Sequence, residues 1–260
     1  MEPLHPKPGR SPANRSVLRG ADILRAFRPG SDVLGNGELA ERTGLSPATV
    51  SRMAQTLVAA GLLQQDHARR AYRLAPLVLS LAHAMRAGSQ VLATAAPLMR
   101  ALAEKEHLNV GLACPDHADM VYLESIRYNR RVALRNVVSG QRVPMELTSL
   151  GRAHLATLAP EQLAPLQAVF KQRNGRHWGA IKAGMEQARL AVLATGVCWV
   201  SWQPGVLAVA TPLPTAEGPC ALNVSVSVPE PSDDQAQALV PALLNLKKTL
   251  VTALARQALA

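Results

Sequence analysis

Residues 38–61, ELAERTGLSPATVSRMAQTLVAAG, constrain the fold more than any other stretch of the chain. Residues 38–43 suit a short helix, and Gly44 allows a sharp turn after it. Ser46 followed by Pro47 starts a second helix, because a serine side chain accepts from an orphan backbone N–H and proline has no N–H to leave unpaired. Val50, Met53, Leu57 and Val58 fall on one face of that helix, and Gly61 stands where a C-terminal glycine belongs. Thr49, Ser51, Arg52 and Gln55 occupy the opposite face. Two helices joined by a glycine turn, the second apolar behind and polar in front, form one of two things. One is a small structural hairpin; the other is a helix-turn-helix that sets its second helix in the major groove of DNA.

The residues after Gly61 favour DNA. Residues 62–65 and 71–74 read as two short strands around a turn, which makes a hairpin with Arg69 and Arg70 at its tip. Beside a recognition helix such a hairpin is a wing, and its arginines meet phosphate or enter the minor groove. The alternative is a solvated turn. The order of the elements, more than any one residue, favours the wing.

A length of 260 residues with 48% hydrophobic and 18% charged residues describes a globular chain with room for two cores. The net charge of +10 favours an anionic partner such as nucleic acid, although an arginine-rich composition supplies part of it regardless of function. Residues 1–75 hold 11 Lys and Arg against 6 Asp and Glu, and residues 76–260 hold 17 against 12, so the same excess is denser in the shorter N-terminal part. Cys114, Cys198 and Cys220 share no C-x-x-C spacing and read as three core thiols rather than a disulfide framework or a zinc site. No signal-peptide pattern opens the chain, and no apolar run reaches the ~20 residues that cross a bilayer. A cytoplasmic protein without a membrane partner is expected.

Taken in order, residues 1–15 with their four prolines are expected to be a disordered tail. A helix capped by Ser16 then carries Val17, Ile23, Leu24 and Phe27 on or near one face and ends at Arg28-Pro29-Gly30. Residues 35–40 match a G-x-G-x-x-A dinucleotide pattern by letters, but no strand precedes them and no βαβ unit follows, so they read as a turn into the next helix. Residues 76–86, PLVLSLAHAMR, are apolar on most sides and call for a covering surface from another chain or domain. The domain boundary is placed near Gly88, before a helix over 91–106. Beyond it, residues 108–113, 120–126, 131–138 and 223–228 are strand candidates. Residues 150–158, 161–170, 181–194 and 232–259 are helical. This mixture indicates an α+β sheet domain with helices on one or both faces.

No motif demands catalysis. The chain has no G-x-S-x-G elbow, no Walker A loop and no H-E-x-x-H, so no catalytic residue, metal ligand or cofactor is assigned. His83 and His154 lie within helical apolar patterns, as core or interface histidines do. Arg127, Arg130, Arg131 and Arg135 are read two ways: as a DNA contact, or more simply as the solvated side and turn of a hairpin.

The sequence resembles the IclR family of bacterial transcriptional regulators. The resemblance rests on SVLRGADILRAF, ELAERTGLSPATVSRMAQTLVAAGLL and YRLAP in the first part. In the second part it rests on VPMELTSLGRAHLA, ATGVCWVSWQPGVLAVATPL and ALNVSVSVPE. It implies an α+β chain organised as a winged helix-turn-helix over 16–75, a linker helix over 76–93 that helps dimerise the DNA readers, and a GAF-like effector-binding domain over 94–260. It implies a palindromic double-stranded operator, a homodimer or dimer of dimers, and a regulator rather than an enzyme. The rival class is an enzyme or structural protein with an accessory winged helix. The DNA-binding residues are then Thr49, Ser51, Arg52, Gln55, Arg69 and Arg70.

In the family the effector sits where Thr148, Ser149, Leu150 and Gly151 stand here, with contacts from the segment after Gly196 and from the strand carrying Ser225 and Ser227. Serines at i and i+2 on a strand face the same way, so both hydroxyls reach one ligand, and a helix start near Ser149 and Leu150 offers backbone N–H groups to an anion. The other reading of the two serines is that they face solvent. The chain departs from the family in having Val200-Ser201-Trp202-Gln203 where many members have an acidic run, and Ala208 where many have cysteine. Without that run a cationic ligand lacks a counter-charge, so a small organic acid is expected, its carboxylate at Ser149, Leu150, Ser225 and Ser227. Trp202 and Leu147 would flank its apolar part, and Trp199 and Trp202 are the candidates for an aromatic wall.

Overall fold

The structure, a computed structural model, describes residues 13–128 and 138–257, so most of the expected tail over 1–15, most of the expected 131–138 strand, Arg130, Arg131 and Arg135, and the last residues of the final helix lie outside it. The chain divides into two compact units, Met1–Gly88 and Ser89–Ala260.

In the first unit, α1 (Arg15–Ala26) is capped by Asn14 rather than by Ser16; the Asn14 side chain accepts from the N–H groups of Ser16 at 2.9 Å and Val17 at 3.4 Å. Val17 therefore falls outside the core, 68% exposed, while Ile23, Ala26 and Phe27 enter it. A two-residue strand, β1 (Leu34–Gly35), precedes α2 (Asn36–Thr43), whose Glu38 carboxylate folds back to accept from the Gly35 N–H at 2.9 Å. The G-x-G segment is thus a strand end and a capped helix start. Gly44 adopts φ 68°, a conformation that would strain any side chain, and this turns the chain into α3 (Pro47–Ala59). Ser46 caps α3 with its hydroxyl 3.3 Å from the Thr49 N–H, Pro47 occupies the first turn, and Gly61 follows the end of the helix. Val50, Ala54 and Leu57 bury the back of α3 against Ile23, Leu39 and Phe27. Burying each such side chain contributes roughly 1.5–3 kcal/mol.

The expected hairpin is β2 (Leu63–Asp66) against β3 (Ala71–Leu74), antiparallel, and β1 joins the far side of β3 to complete a three-stranded sheet. β1 was not legible because two residues carry no periodicity. The helix α4 (Pro76–Gly88) then buries none of its residues in this chain. Leu79 is 75% exposed, and Leu77, Leu81 and Met85 are exposed with it.

The second unit is built on a six-stranded sheet in the order β6-β5-β4-β9-β8-β7. Its elements are α5 (Gln90–Glu106), β4 (Asn109–Asp116), β5 (Asp119–Ile126), β6 (Arg142–Pro144), α6 (Ser149–Leu155), α7 (Pro160–Asn174), α8 (Trp178–Thr195), β7 (Cys198–Val200), β8 (Val206–Thr215), β9 (Gly218–Ser227) and α9 (Asp233–Gln257). Every neighbouring pair of strands runs antiparallel. Two cores flank the sheet: Val110, Leu112, Leu207, Leu222 and Val224 pack with α5 and α9, while Ala113, Ala210 and Ala221 pack with α6 and α8. At 25 residues α9 is long and apolar enough to cross a membrane by length and composition, which the sequence reading had not found. In the fold its Ala236, Leu243, Leu246 and Leu250 are buried in the sheet core.

The expectation of three core thiols holds for Cys198 alone. Cys114 on β4 and Cys220 on β9 form a disulfide with their Cα atoms 4.4 Å apart. Their 106-residue separation hid the pairing, because only strand register brings them side by side. The Cys198 thiol donates to the Ser149 carbonyl at 3.5 Å. Burial pushes its pKa up to about 12 against the opposing pull of the Arg152 guanidinium, so it is an inert thiol beneath α6.

Candidate functional site

The exposed face of α3 carries Arg52 and Gln55 in full contact with solvent, while Thr49 and Ser51 are half-buried at its flanks. The Thr49 and Ser46 hydroxyls lie 2.9 Å apart, so Thr49 is partly spent on the helix start. Ala48 and Thr56 share the exposed face with Arg52. Their i, i+4 spacing from Arg52 was the signal that could have found them.

At the wing, Arg69 and Arg70 are exposed at the tip, and Arg70 holds φ 50°. The turn is fixed from within: the Asp66 carboxylate accepts from the Arg69 N–H at 3.1 Å and pairs with the Arg73 guanidinium. The Arg69 backbone bond, then the Arg73 side chain, hold the Asp66 carboxyl below its usual range. Asp66 therefore stays charged near neutrality, and the two tip arginines are presented outward by a braced hairpin.

In the second unit the alternation of β9 divides its residues between two environments. Cys220, Leu222 and Val224 face the core under α5 and α9, whereas Asn223, Ser225 and Ser227 face a cavity of about 510 Å³. That volume lies within the range of small-molecule sites. Its wall is completed by Thr148, Ser149 and Leu150 at the start of α6, by Tyr122 and Arg127, and by Trp202 to Val206 with Ala208. The Thr148 hydroxyl fixes this end of α6, donating to the Pro144 carbonyl at 2.9 Å and accepting from the Gly151 N–H at 3.2 Å. That N–H is therefore taken. Among the described residues the remaining polarity comes from hydroxyls, Gln141, Gln203, Asn223 and one guanidinium, and none of them brings a carboxylate.

Gly111 on β4 gives this cavity its floor. A Cβ there would sit 2.6 Å from the Tyr122 ring and closer still to the Asn223 amide oxygen, so only glycine lets these two side chains meet over the strand. Burial, opposed by the Arg127 charge and the neighbouring Asn223 amide, pushes the Tyr122 phenol up to about 12, so it stays neutral.

Of the expected ligand residues, Ser149, Leu150, Trp202, Ser225 and Ser227 line the cavity together. Leu147 does not; it is half-buried on the approach to α6, because side chains before a helix cap do not follow the helical face. The proposed aromatic wall reduces to Trp202, which is 39% exposed. Trp199, three residues away, packs against the opposite core and donates from Nε1 to Asp233 at 2.9 Å. Arg127 stands in the cavity and not in a solvated turn, a placement that sequence reasoning missed because it depends on how β5 ends. His154 is buried in α6, where burial depresses its pKa to about 4, so it is a neutral core side chain. His83 is exposed on α4. Among the described residues no group of three or more His, Cys, Asp and Glu is placed to hold a metal ion.

Residues 16–67 match the family model described as the IclR helix-turn-helix domain, and residues 83–250 match that of the bacterial transcriptional regulator IclR C-terminal domain. The HTH-type transcriptional regulator TsaQ1/TsaQ2 of Comamonas testosteroni is 32% identical over 66% of this chain, and the match spans 62% of that relative's length. The Pca regulon regulatory protein of Pseudomonas putida is 27% identical, with 87% of each chain covered. The crystal structure of an IclR family transcriptional regulator from Brucella abortus superposes with a TM-score of 0.83 at 29% identity, covering 93% of this chain and 92% of that one. An IclR homologue from Microbacterium hydrocarbonoxydans, solved in complex with 4-hydroxybenzoate, shares the fold with a TM-score of 0.62 at 18% identity, covering 91% of this chain and 99% of that one. With both domain models matched in order, and a winged helix-turn-helix and a GAF-like α+β domain in the structure, this chain belongs to the IclR family of bacterial transcriptional regulators.

Proposed function

We propose that this protein regulates transcription by binding a palindromic operator and that a small organic acid in the second unit modulates the binding. Arg52 and Gln55, flanked by Thr49 and Ser51, read base edges in the major groove, and Arg69 and Arg70 meet phosphate. The apolar α4, with Leu77, Leu79, Leu81 and Met85 exposed, is covered by a second copy of the chain. A pair of readers is also what a palindrome requires. The protein works in the cytoplasm, where its DNA is, and the linker role belongs to residues 76–93.

The observation that carries the effector half of this reading is the cavity of about 510 Å³ itself, polar through Ser149, Ser225 and Ser227, apolar through Val143, Leu150, Val200 and Trp202, and without a carboxylate among the described residues. Such a lining suits an anion with an apolar body, and a fold neighbour is known with 4-hydroxybenzoate. The test is a mobility-shift assay on the DNA beside the protein's own gene, with and without a panel of aromatic and short aliphatic carboxylates. Specific binding that one of these acids alters supports the reading. Binding no tighter than to unrelated DNA would overturn it, and an enzyme with an accessory winged helix would then be the better description.

A further inference from the structure

Arg127 follows the last residue of β5 and is, among the described residues, the sole charged side chain lining the cavity. Its Nε is shut off from solvent and has no hydrogen-bond partner among the described residues. A guanidinium cannot escape this situation by losing its proton, as a buried lysine or carboxyl does, because its pKa is too high. Burial nevertheless works against the charged form, with only Tyr122 in partial compensation. Tyr122 cannot complete the pairing, since its phenol is neutral well beyond physiological pH. Asn223, beside Tyr122 in the cavity wall, brings a dipole and no charge. The β5 side of the cavity thus holds a half-buried positive group whose Nε is desolvated without a partner among the described residues, and an anion in the cavity would relieve that cost.

We propose that Arg127 is the counter-ion for the effector's carboxylate and makes the cavity select acids over their neutral analogues. The assignment rests on the organic-acid reading of the cavity and moves its charge recognition from the start of α6 to the end of β5. A planar guanidinium matches a carboxylate through paired N–H donors, which gives orientation as well as attraction. The Ser225 and Ser227 hydroxyls, two and four residues beyond Asn223 on the same face of β9, remain for a second polar group of the ligand. The apolar body lies against Leu150, Val200 and Trp202.

The test is calorimetric titration of the full-length protein with benzoate, 4-hydroxybenzoate, phenylacetate, 3-phenylpropanoate and pyruvate, each beside its neutral amide. Wild type, Arg127→Gln and Arg127→Lys are compared. The expected result is tighter binding of an acid than of its amide by wild type, with roughly tenfold to hundredfold loss for the acid in Arg127→Gln and little change for the amide. Arg127→Lys should recover part of the loss, because a point charge replaces a fork. In a second arm without ligand, Arg127→Met should melt at or above the wild-type temperature, since it removes a half-buried charge whose Nε is unpartnered among the described residues; melting several degrees lower would show a structural partner and overturn the proposal. Acid bound equally by wild type and Arg127→Gln would also overturn it, while leaving the organic-acid effector in place. If no acid in the panel binds wild type, the organic-acid reading falls and this assignment with it.

Discussion

The Ser89 hydroxyl donates to the Glu217 carboxylate at 2.6 Å, joining the first residue of the second unit to the turn between β8 and β9. The same hydroxyl accepts from the Leu92 N–H at 3.1 Å as the cap of α5, and the other carboxylate oxygen accepts from the Val91 N–H at 3.0 Å. A hairpin whose strands carry Val206, Ala208, Ser225 and Ser227 at the cavity therefore also holds the start of α5. Ser89→Ala is expected to cost about 1 kcal/mol, as loss of a helix cap does. Glu217→Gln should be less than additive with it in urea denaturation, because the two share one bond. Strict additivity would show that the contact contributes nothing.

The same pair gives a pH signature. Burial raises the Glu217 pKa, but the bonds from Ser89, Val91 and Gln90 outweigh it and hold the carboxyl below its ordinary value of 4.5. A depressed folded-state value means the stabilisation is complete above pH 4.5 and is lost as pH falls through the folded pKa. Glu217→Gln should therefore be less stable than wild type at neutral pH and approach it at acid pH. Urea midpoints measured from pH 7 down to pH 3 check this; a constant gap across the range would refute it.

Arg52 and the wing arginines should separate in kind. Arg52→Ala is expected to lose sequence preference, about 1–3 kcal/mol of discrimination at the base it reads. Arg69→Ala and Arg70→Ala should weaken all DNA alike and flatten the dependence on salt by about one counterion each. Competition assays at two salt concentrations distinguish them. Unchanged preference in Arg52→Ala with altered preference in Arg69→Ala would reverse the assignment.

Gly111→Ala should damage the cavity without replacing any residue that lines it. The added methyl meets Tyr122 and Asn223 at distances no pair of atoms sustains, so strand or side chains must move. Overpacking of this kind costs roughly 1–3 kcal/mol. Denaturation should show that loss together with weakened ligand binding, and an unaltered protein would mean that Tyr122 and Asn223 have room to move aside.

Leu79→Glu on α4 should leave the melting of a dilute monomer nearly unchanged, since Leu79 is 75% exposed within one chain. Analytical ultracentrifugation should nevertheless show a weaker dimer, and affinity for a two-half-site operator should fall with it. A wild type that is monomeric at micromolar concentration would remove the pairing role of α4.

Much of this molecule was legible in local chemistry. The Ser46-Pro47 start, the Gly44 turn, the two strands of the wing and the apolar stripe of α3 are each specified by neighbours a few residues away, so spacing alone located them. The alternation from Asn223 to Ser227 likewise placed two serines on one face. Other elements were hidden because their causes are not local. The two-residue strand β1 exists only because β3 offers an unpaired edge, and β8, interrupted by prolines, is a strand because β9 pairs with it along its whole length.

What the linear order of residues determined by itself is therefore a set of elements and their sequence, with a reader ahead of an α+β domain. What the tertiary structure alone decided is which side chains share a space. Cys114 and Cys220 meet by register across 106 residues. Trp199 and Trp202 are parted to opposite sides although near in sequence. Arg127 turns from a supposed surface cluster into the cavity of the second unit. Periodicity records which face of one element is buried, but the partner of that face is set by packing between distant segments, and that is where the chemistry of the cavity resides.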